Sequence, residues 1–191
     1  MATIRLAARA PTRPDIKRRK IREEHWKGAG KFIWDRSEEK GFVTVPRTLP
    51  LIVALIKHLS LKNDASRVYL DLWGRSYDQG VVEVNDEKQF AMSSGYADNS
   101  RNVRSWQERM NELEAIGFIL TAPSASRKFG FVLLLHPHVV VEAMHQSGSH
   151  RIPDWWWGLY RERMRDIGAK LPNTKDFDAF LTRIKAPRAP R

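Results

Sequence analysis

The stretch NSRNVRSWQERMNELEAIGFILTA, residues 99–122, constrains the fold more than any other part of the chain. Stepping 100° per residue from Val103 puts Trp106 at about 300°, Met110 at about 340°, Leu113 at about 280° and Ile116 at about 220°. These residues make one apolar stripe that must face a core. Arg104, Glu108, Arg101, Glu112 and Ser105 fall across from it, at about 100° to 200°. Gly117 stops the helix, and an apolar strand, FILTA, starts at once. The basic residues of the outer face, Arg101 and Arg104, sit with Ser105 in the first turns. The acids Glu108 and Glu112 come later. Asn99 or Ser100 is expected as the cap, Arg109 flanks the buried stripe, and Asn102 is a secondary contact candidate.

The surrounding segments build a small mixed domain around this helix. LPLIVALIKHL is a short, mostly buried helix with Pro50 near its start. NDASRVYLDLWGRS is a helix capped by Asp64 or Ser66, since Val68, Leu72 and Tyr69, Trp73 recur at four-residue spacing. VVEV is a brief strand. NDEKQFAMSSGY is a short helix capped by Asn85 or Asp86, with Phe90 and Ala91 inward and Gly95 as a left-handed turn residue. After the central helix, FILTA and FVLLL form a hairpin around the loop PSASRKFG, whose tip carries Arg127 and Lys128. His136-Pro137 ends it. PHVVVEAMH reads as a helix or as one more strand. At the start of the chain a helix is expected from about Ile16 to Ile33.

Two further helices follow a linker, SGSHRIP. DWWWGLYRERMRDIG is expected to be capped by Asp154, and NTKDFDAFLTRIK by Thr174 or Asn173, with Phe177, Phe180, Leu181 and Ile184 along one face. Trp155, Trp156 and Trp157 are consecutive, so no helix can turn all three to one core. With Tyr160 they form a candidate interface for a second copy or a partner protein. The bland reading is that the terminal helices wrap the domain and bury two of the three.

The formal net charge is +11, and its placement says more than its size. Residues 1–22 carry eight Lys or Arg against one acid, and residues 185–191 carry three, so nearly all the excess lies in the tails. Such tails are counter-charges for a polyanion, or solubilising appendages. Lys17, Arg18, Arg19 and Lys20 are the densest group. Cysteine is absent, which excludes disulfides, thiolate metal sites and thiol nucleophiles. No run of eighteen apolar residues exists and the first residues lack the apolar segment of a secretory leader, so a cytoplasmic setting away from membrane is expected.

Nothing in the spacing points to catalysis. His136 and His138 flank a proline, and no HExxH motif accompanies them. Asp64, Asp71, Asp78, Glu83, Asp86 and Glu87 form an acidic segment without the convergence that a metal-dependent nuclease requires. HWKGAGKFIW is not a phosphate-binding GxxxxGK[ST] loop. No cofactor is expected, and an enzyme would need a cleft with converging carboxylates.

The order NDASRVYLDLWGRS, VVEV, DEKQFAMSSGY, then NSRNVRSWQERMNELEAIGFILTAPSASRKFGFVLLL resembles a winged helix-turn-helix domain of bacterial transcriptional regulators and replication initiators. The resemblance covers about residues 47–145 and is one of architecture. It implies double-stranded DNA as partner, commonly bound as a dimer, with the third helix in the major groove. The fold class is α+β, mainly α: a winged helix-turn-helix with additional N- and C-terminal helices. The expected organisation is a basic arm over 1–22, a winged domain with an N-terminal helical extension over 23–150, a Trp-rich helical extension over 151–184 and a basic tail over 185–191. DNA contact is assigned to Arg101, Arg104, Ser105 and Asn102, to Arg127 and Lys128 at the wing, and to Lys17–Lys20 in the arm. The expected function is a non-enzymatic, sequence-specific DNA-binding regulator. An interaction adaptor on the same fold and a plasmid- or phage-type replication initiation protein are the alternatives.

Overall fold

A computed structural model of the chain describes residues 44–60, 63–76, 80–96, 101–124, 127–170 and 174–185, together with Ile16, Lys20, Ile21, Glu24 and His25. The chain divides into two compact units, 1–42 and 43–191. In the first, the five described residues are helical and exposed, as expected for a helix beginning near Ile16. The expected boundary after residue 22 lies outside the described residues.

In the second unit the described elements run α1 (Leu49–Leu59), α2 (Ser66–Arg75), β1 (Val81–Glu83), α3 (Glu87–Ser93), α4 (Asn102–Ala115), β2 (Ile119–Ser124), β3 (Arg127–Leu134), α5 (Pro137–Ser147), α6 (Asp154–Asp166) and α7 (Phe177–Lys185). The fold is mixed α+β, mainly helical, with a small open antiparallel sheet of strand order β1-β3-β2. The open choice at residues 137–145 resolves to helix. Pro137 at its first turn accepts the missing N–H at no cost, and Gly148 closes it with φ +63°.

Local chemistry sets most of the boundaries. Asp86 caps α3 by accepting from the Lys88 and Gln89 amides. The Asp64 carboxylate accepts from the Ser66 amide at 3.0 Å, one position ahead of the Ala65 cap of α2. Gly95 and Gly117 turn the chain after α3 and α4 at φ +88° and +82°, where a side chain would be strained. Three expected caps are corrected: the cap of α2 is Ala65, not Asp64 or Ser66. Asp154 is already the first residue of α6, after Pro153, and its side chain makes no capping bond. Thr174 gives its hydroxyl to Gln146 at 2.7 Å, and α7 starts only at Phe177.

The core gathers around aromatic rings that join elements far apart in sequence. Trp106 of α4, fully buried, meets Phe90 of α3 edge-on at 5.9 Å and Phe129 of β3 at 5.7 Å. One ring therefore locks α3, α4 and the hairpin together. Full burial of such a side chain stabilises the fold by several kcal/mol, about 3–5 by the cost of its truncation. Tyr69 of α2 packs on Phe118 at 5.4 Å. The Thr121 hydroxyl and amide both donate to Glu114, at 2.7 and 3.2 Å, tying β2 back to the end of α4.

The hairpin is tighter than expected. Ser124 pairs with Arg127, so most of the expected loop PSASRKFG is strand. The register shifts between Ala122 and Ser124. Pro123, which has no N–H to give to a ladder, lies at that irregularity. Gly130 faces it across the hairpin: a Cβ there would crowd the Ser124 side chain and amide.

The C-terminal helices pack onto α1 and α5. The Trp156 indole N–H donates to the Leu51 carbonyl at 2.8 Å. His138 is buried between Thr48 and Tyr160, its ring nitrogens 2.9 Å from Oγ1 and 3.2 Å from the phenol oxygen. Burial, then the neighbouring charge of His136, holds the His138 pKa below its ordinary value.

Candidate nucleic-acid interface

The outer face of α4 is where charge and exposure coincide. Its apolar stripe is buried as the periodicity requires: Trp106, Met110, Leu113 and the following Ile116 lie in the core, and Val103 is half-buried. Arg101 and Arg104 are exposed, and Ser105 is half-buried. No acid occupies the first turn of α4, so the partial positive charge of its amides adds to the two arginines.

The Arg104 side chain is 82% exposed. Its Nε donates to Glu108 Oε1 at 3.2 Å, one turn on. The second Glu108 oxygen accepts from Arg109 Nη1 at 3.2 Å, and the same nitrogen donates to the Ser105 carbonyl at 2.9 Å. The Arg109 guanidinium lies over the Tyr96 ring, 5.2 Å from its centroid. Both Glu108 oxygens are thus engaged by cations. The acid in the middle of the face is offset locally, so it opposes a polyanion less than its formal charge implies.

Asn102 is corrected. It is 4% exposed and accepts from the Val103 amide, so it cannot reach a ligand on the outer face. The residue before the helix is Arg101, which makes no side-chain capping bond, while Asn99 and Ser100 lie outside the described residues.

Arg127 and Lys128 are exposed, and each is held by a hydrogen bond. Arg127 reaches back to the Val84 carbonyl at 2.6 Å and so braces β1 against β3. Lys128 donates to Asn111 Oδ1 at 2.5 Å. Asn111 was not singled out as a site residue, yet the helical wheel finds it. It stands at about 80°, beside Arg104 at about 100° and two turns away, about 10 Å along the axis. Gln107, also on α4, donates to Glu87 of α3 at 2.7 Å and holds the two helices in register. Lys17, Arg18 and Arg19 lie outside the described residues; Lys20 is helical and exposed.

Four of the six acids of the acidic segment serve separate structural tasks, and Asp78 lies outside the described residues. Asp64 and Asp86 serve the starts of α2 and α3, Asp71 pairs with Arg75 at 2.9 Å and accepts from Ser93, and Glu87 accepts from Gln107. Among the described residues no group of three or more His, Asp or Glu could hold a metal ion. No helix among them is long and apolar enough to cross a membrane.

The tryptophan run separates by one residue at a time. Trp156 and Tyr160 are core and stack on each other at 5.1 Å, which removes both from the candidate interface. Trp157 is half-buried and stacks on His145 at 3.7 Å. Trp155 remains, 62% exposed, with Leu159 one turn on. Two of the three are therefore covered by the chain itself.

Comparison with protein-family models, with curated proteins and with solved structures yields no significant match. What this surface binds has to follow from its own chemistry.

Proposed function

We propose that the protein is a sequence-specific double-stranded DNA-binding protein of regulatory type, acting by binding, without catalysis or a cofactor. In this reading residues from α2 to β3 form a winged helix-turn-helix, with α3 and α4 as the helix pair and β2–β3 as the wing. The observation that carries it is the convergence of cationic groups on α4. Arg101 at its N-cap and Arg104 on its first turn are exposed, and Lys128 of the hairpin meets Asn111 on the same side of the same helix. An exposed helix with its basic end leading suits insertion into the major groove, where N-terminal residues reach base edges. The basic N-terminal segment, Lys17 to Lys20 included, would add phosphate contacts that raise affinity without reading sequence. A replication initiator would use the same surface.

The test is selection from random-sequence duplex DNA at about 150 mM salt, a concentration at which non-specific binding is weakened. Enrichment of a defined site supports the reading, and a palindrome would set the symmetry of the bound form. Tight binding without enrichment would reduce it to a tail-driven binder. No binding would overturn it in favour of a protein adaptor. Arg104→Ala is expected to relax discrimination at one base pair, while Lys128→Ala weakens all duplexes about equally and lowers the salt slope by about 1. Equal effects of the two would refute the division of labour.

A further inference from the structure

We propose that Arg104 reads a guanine in the major groove, and that Glu108, anchored through Arg109, is the residue that positions it. This rests on the DNA-binding reading above. The Arg104 guanidinium meets Glu108 through its Nε edge. Among the described residues no partner takes its two terminal nitrogens, and the side chain projects into solvent at 82% exposure. That leaves the end of the fork, two parallel N–H donors, on an exposed side chain. Guanine offers two acceptors, N7 and O6, side by side in the major groove. Adenine places a donor beside N7, cytosine presents an amino donor, and thymine has one acceptor next to a methyl group. The fork therefore matches one base of the four.

A long exposed side chain loses rotamer freedom when it docks, which weakens contact and selectivity together. The arrangement around Glu108 removes part of that loss beforehand. Tyr96 lies under the Arg109 guanidinium, Arg109 bonds the Ser105 carbonyl and Glu108 Oε2, and Glu108 Oε1 takes Arg104 Nε. The Arg109 side chain is only 19% exposed, so the relay starts from a fixed point and ends at the exposed fork. Glu108 has a second effect of opposite sign. Its negative charge, offset in part by Arg104 and Arg109, still opposes a nearby phosphate whatever base stands opposite Arg104. Glu112, one turn further along, adds to that repulsion. Contact with guanine and opposition to the backbone then come from one ion pair.

The experiment uses the full chain and four proteins: the wild type, Arg104→Lys, Glu108→Ala and Glu108→Gln. Selection on the wild type should return a site containing a guanine whose preference Arg104→Lys loses. Replacing that guanine by 7-deazaguanine, which lacks N7, should weaken the wild type by about ten- to a hundredfold and leave Arg104→Lys nearly unaffected. Glu108→Ala should bind unrelated duplex more tightly than the wild type while discriminating less, with Glu108→Gln, which retains an acceptor oxygen, falling between. A purely structural role for Glu108 would weaken specific and non-specific binding in parallel and lower the urea midpoint. That pattern overturns the positioning role, as does unchanged discrimination in both variants. A selected site whose base preferences survive Arg104→Lys overturns the guanine assignment while leaving DNA binding intact. Failure of the wild type to bind any duplex removes both.

Discussion

Adding a single methyl group at Gly130 is expected to open the hairpin. Gly130 is buried in β3, and its φ is not positive, so its backbone tolerates alanine. The obstacle is space. A Cβ there would meet the Ser124 Cβ, Oγ and amide nitrogen well inside 3.0 Å, a separation real Cβ atoms essentially never show. Restoring carbon contacts of about 3.5 Å means moving one strand by about 1 Å, at the irregularity where Pro123 already interrupts the ladder. Overpacking of this kind costs about 1–3 kcal/mol. For a unit of this size each kcal/mol lowers Tm by about 2–4 °C. Urea unfolding of Gly130→Ala measures the loss directly. Gly117→Ala is the control with the opposite cause, because nothing lies within 4 Å of its Cβ position but its φ is +82°. That change should cost about 1–2 kcal/mol from backbone strain alone. The double variant Gly130→Ala, Ser124→Gly removes the side-chain collision but not the amide, so it should recover part of the loss. Full recovery would show that the backbones are not in close approach. A loss under about 0.5 kcal/mol in Gly130→Ala would refute the packing argument outright.

Other expectations follow from the same contacts. Trp156→Ala should cost about 3–5 kcal/mol in urea unfolding, because it empties a buried site and removes the indole hydrogen bond to the Leu51 carbonyl. Trp155→Ala, one residue away and exposed, should stay within about 0.5 kcal/mol, and similar losses at both positions would contradict the burial. His138 is held neutral by burial, so the unfolded chain takes up its proton more readily than the folded one. Stability from this site is complete above the ordinary value of 6.5 and is lost as pH falls below it, levelling off beneath the depressed folded value. The stability difference between the wild type and His138→Gln should therefore narrow as pH drops from about 7.5 to about 5.5; a constant difference would sink the assignment.

Periodicity and capping chemistry made much of this fold legible. The stripe from Trp106 to Ile116, the Asp86 cap and the turns at Gly95 and Gly117 all depend on residues within a few positions of one another. Local sterics and hydrogen bonds decide such features wherever the segment ends up. The exposed Arg101 and Arg104 follow from the same rule, since the face opposite an apolar stripe looks to solvent. The residues that escaped this reading depend on what arrives from elsewhere. Asn102 is an exception: at about 260° the same wheel already puts it inside the stripe, and it is buried there. Lys128 lies beside α4 because the hairpin folds back on the helix and Asn111 waits there. Three consecutive tryptophans are chemically alike. A helix places them 100° apart, but only the arrival of Leu51, 105 residues earlier in the chain, decides that Trp156 is the one that is buried.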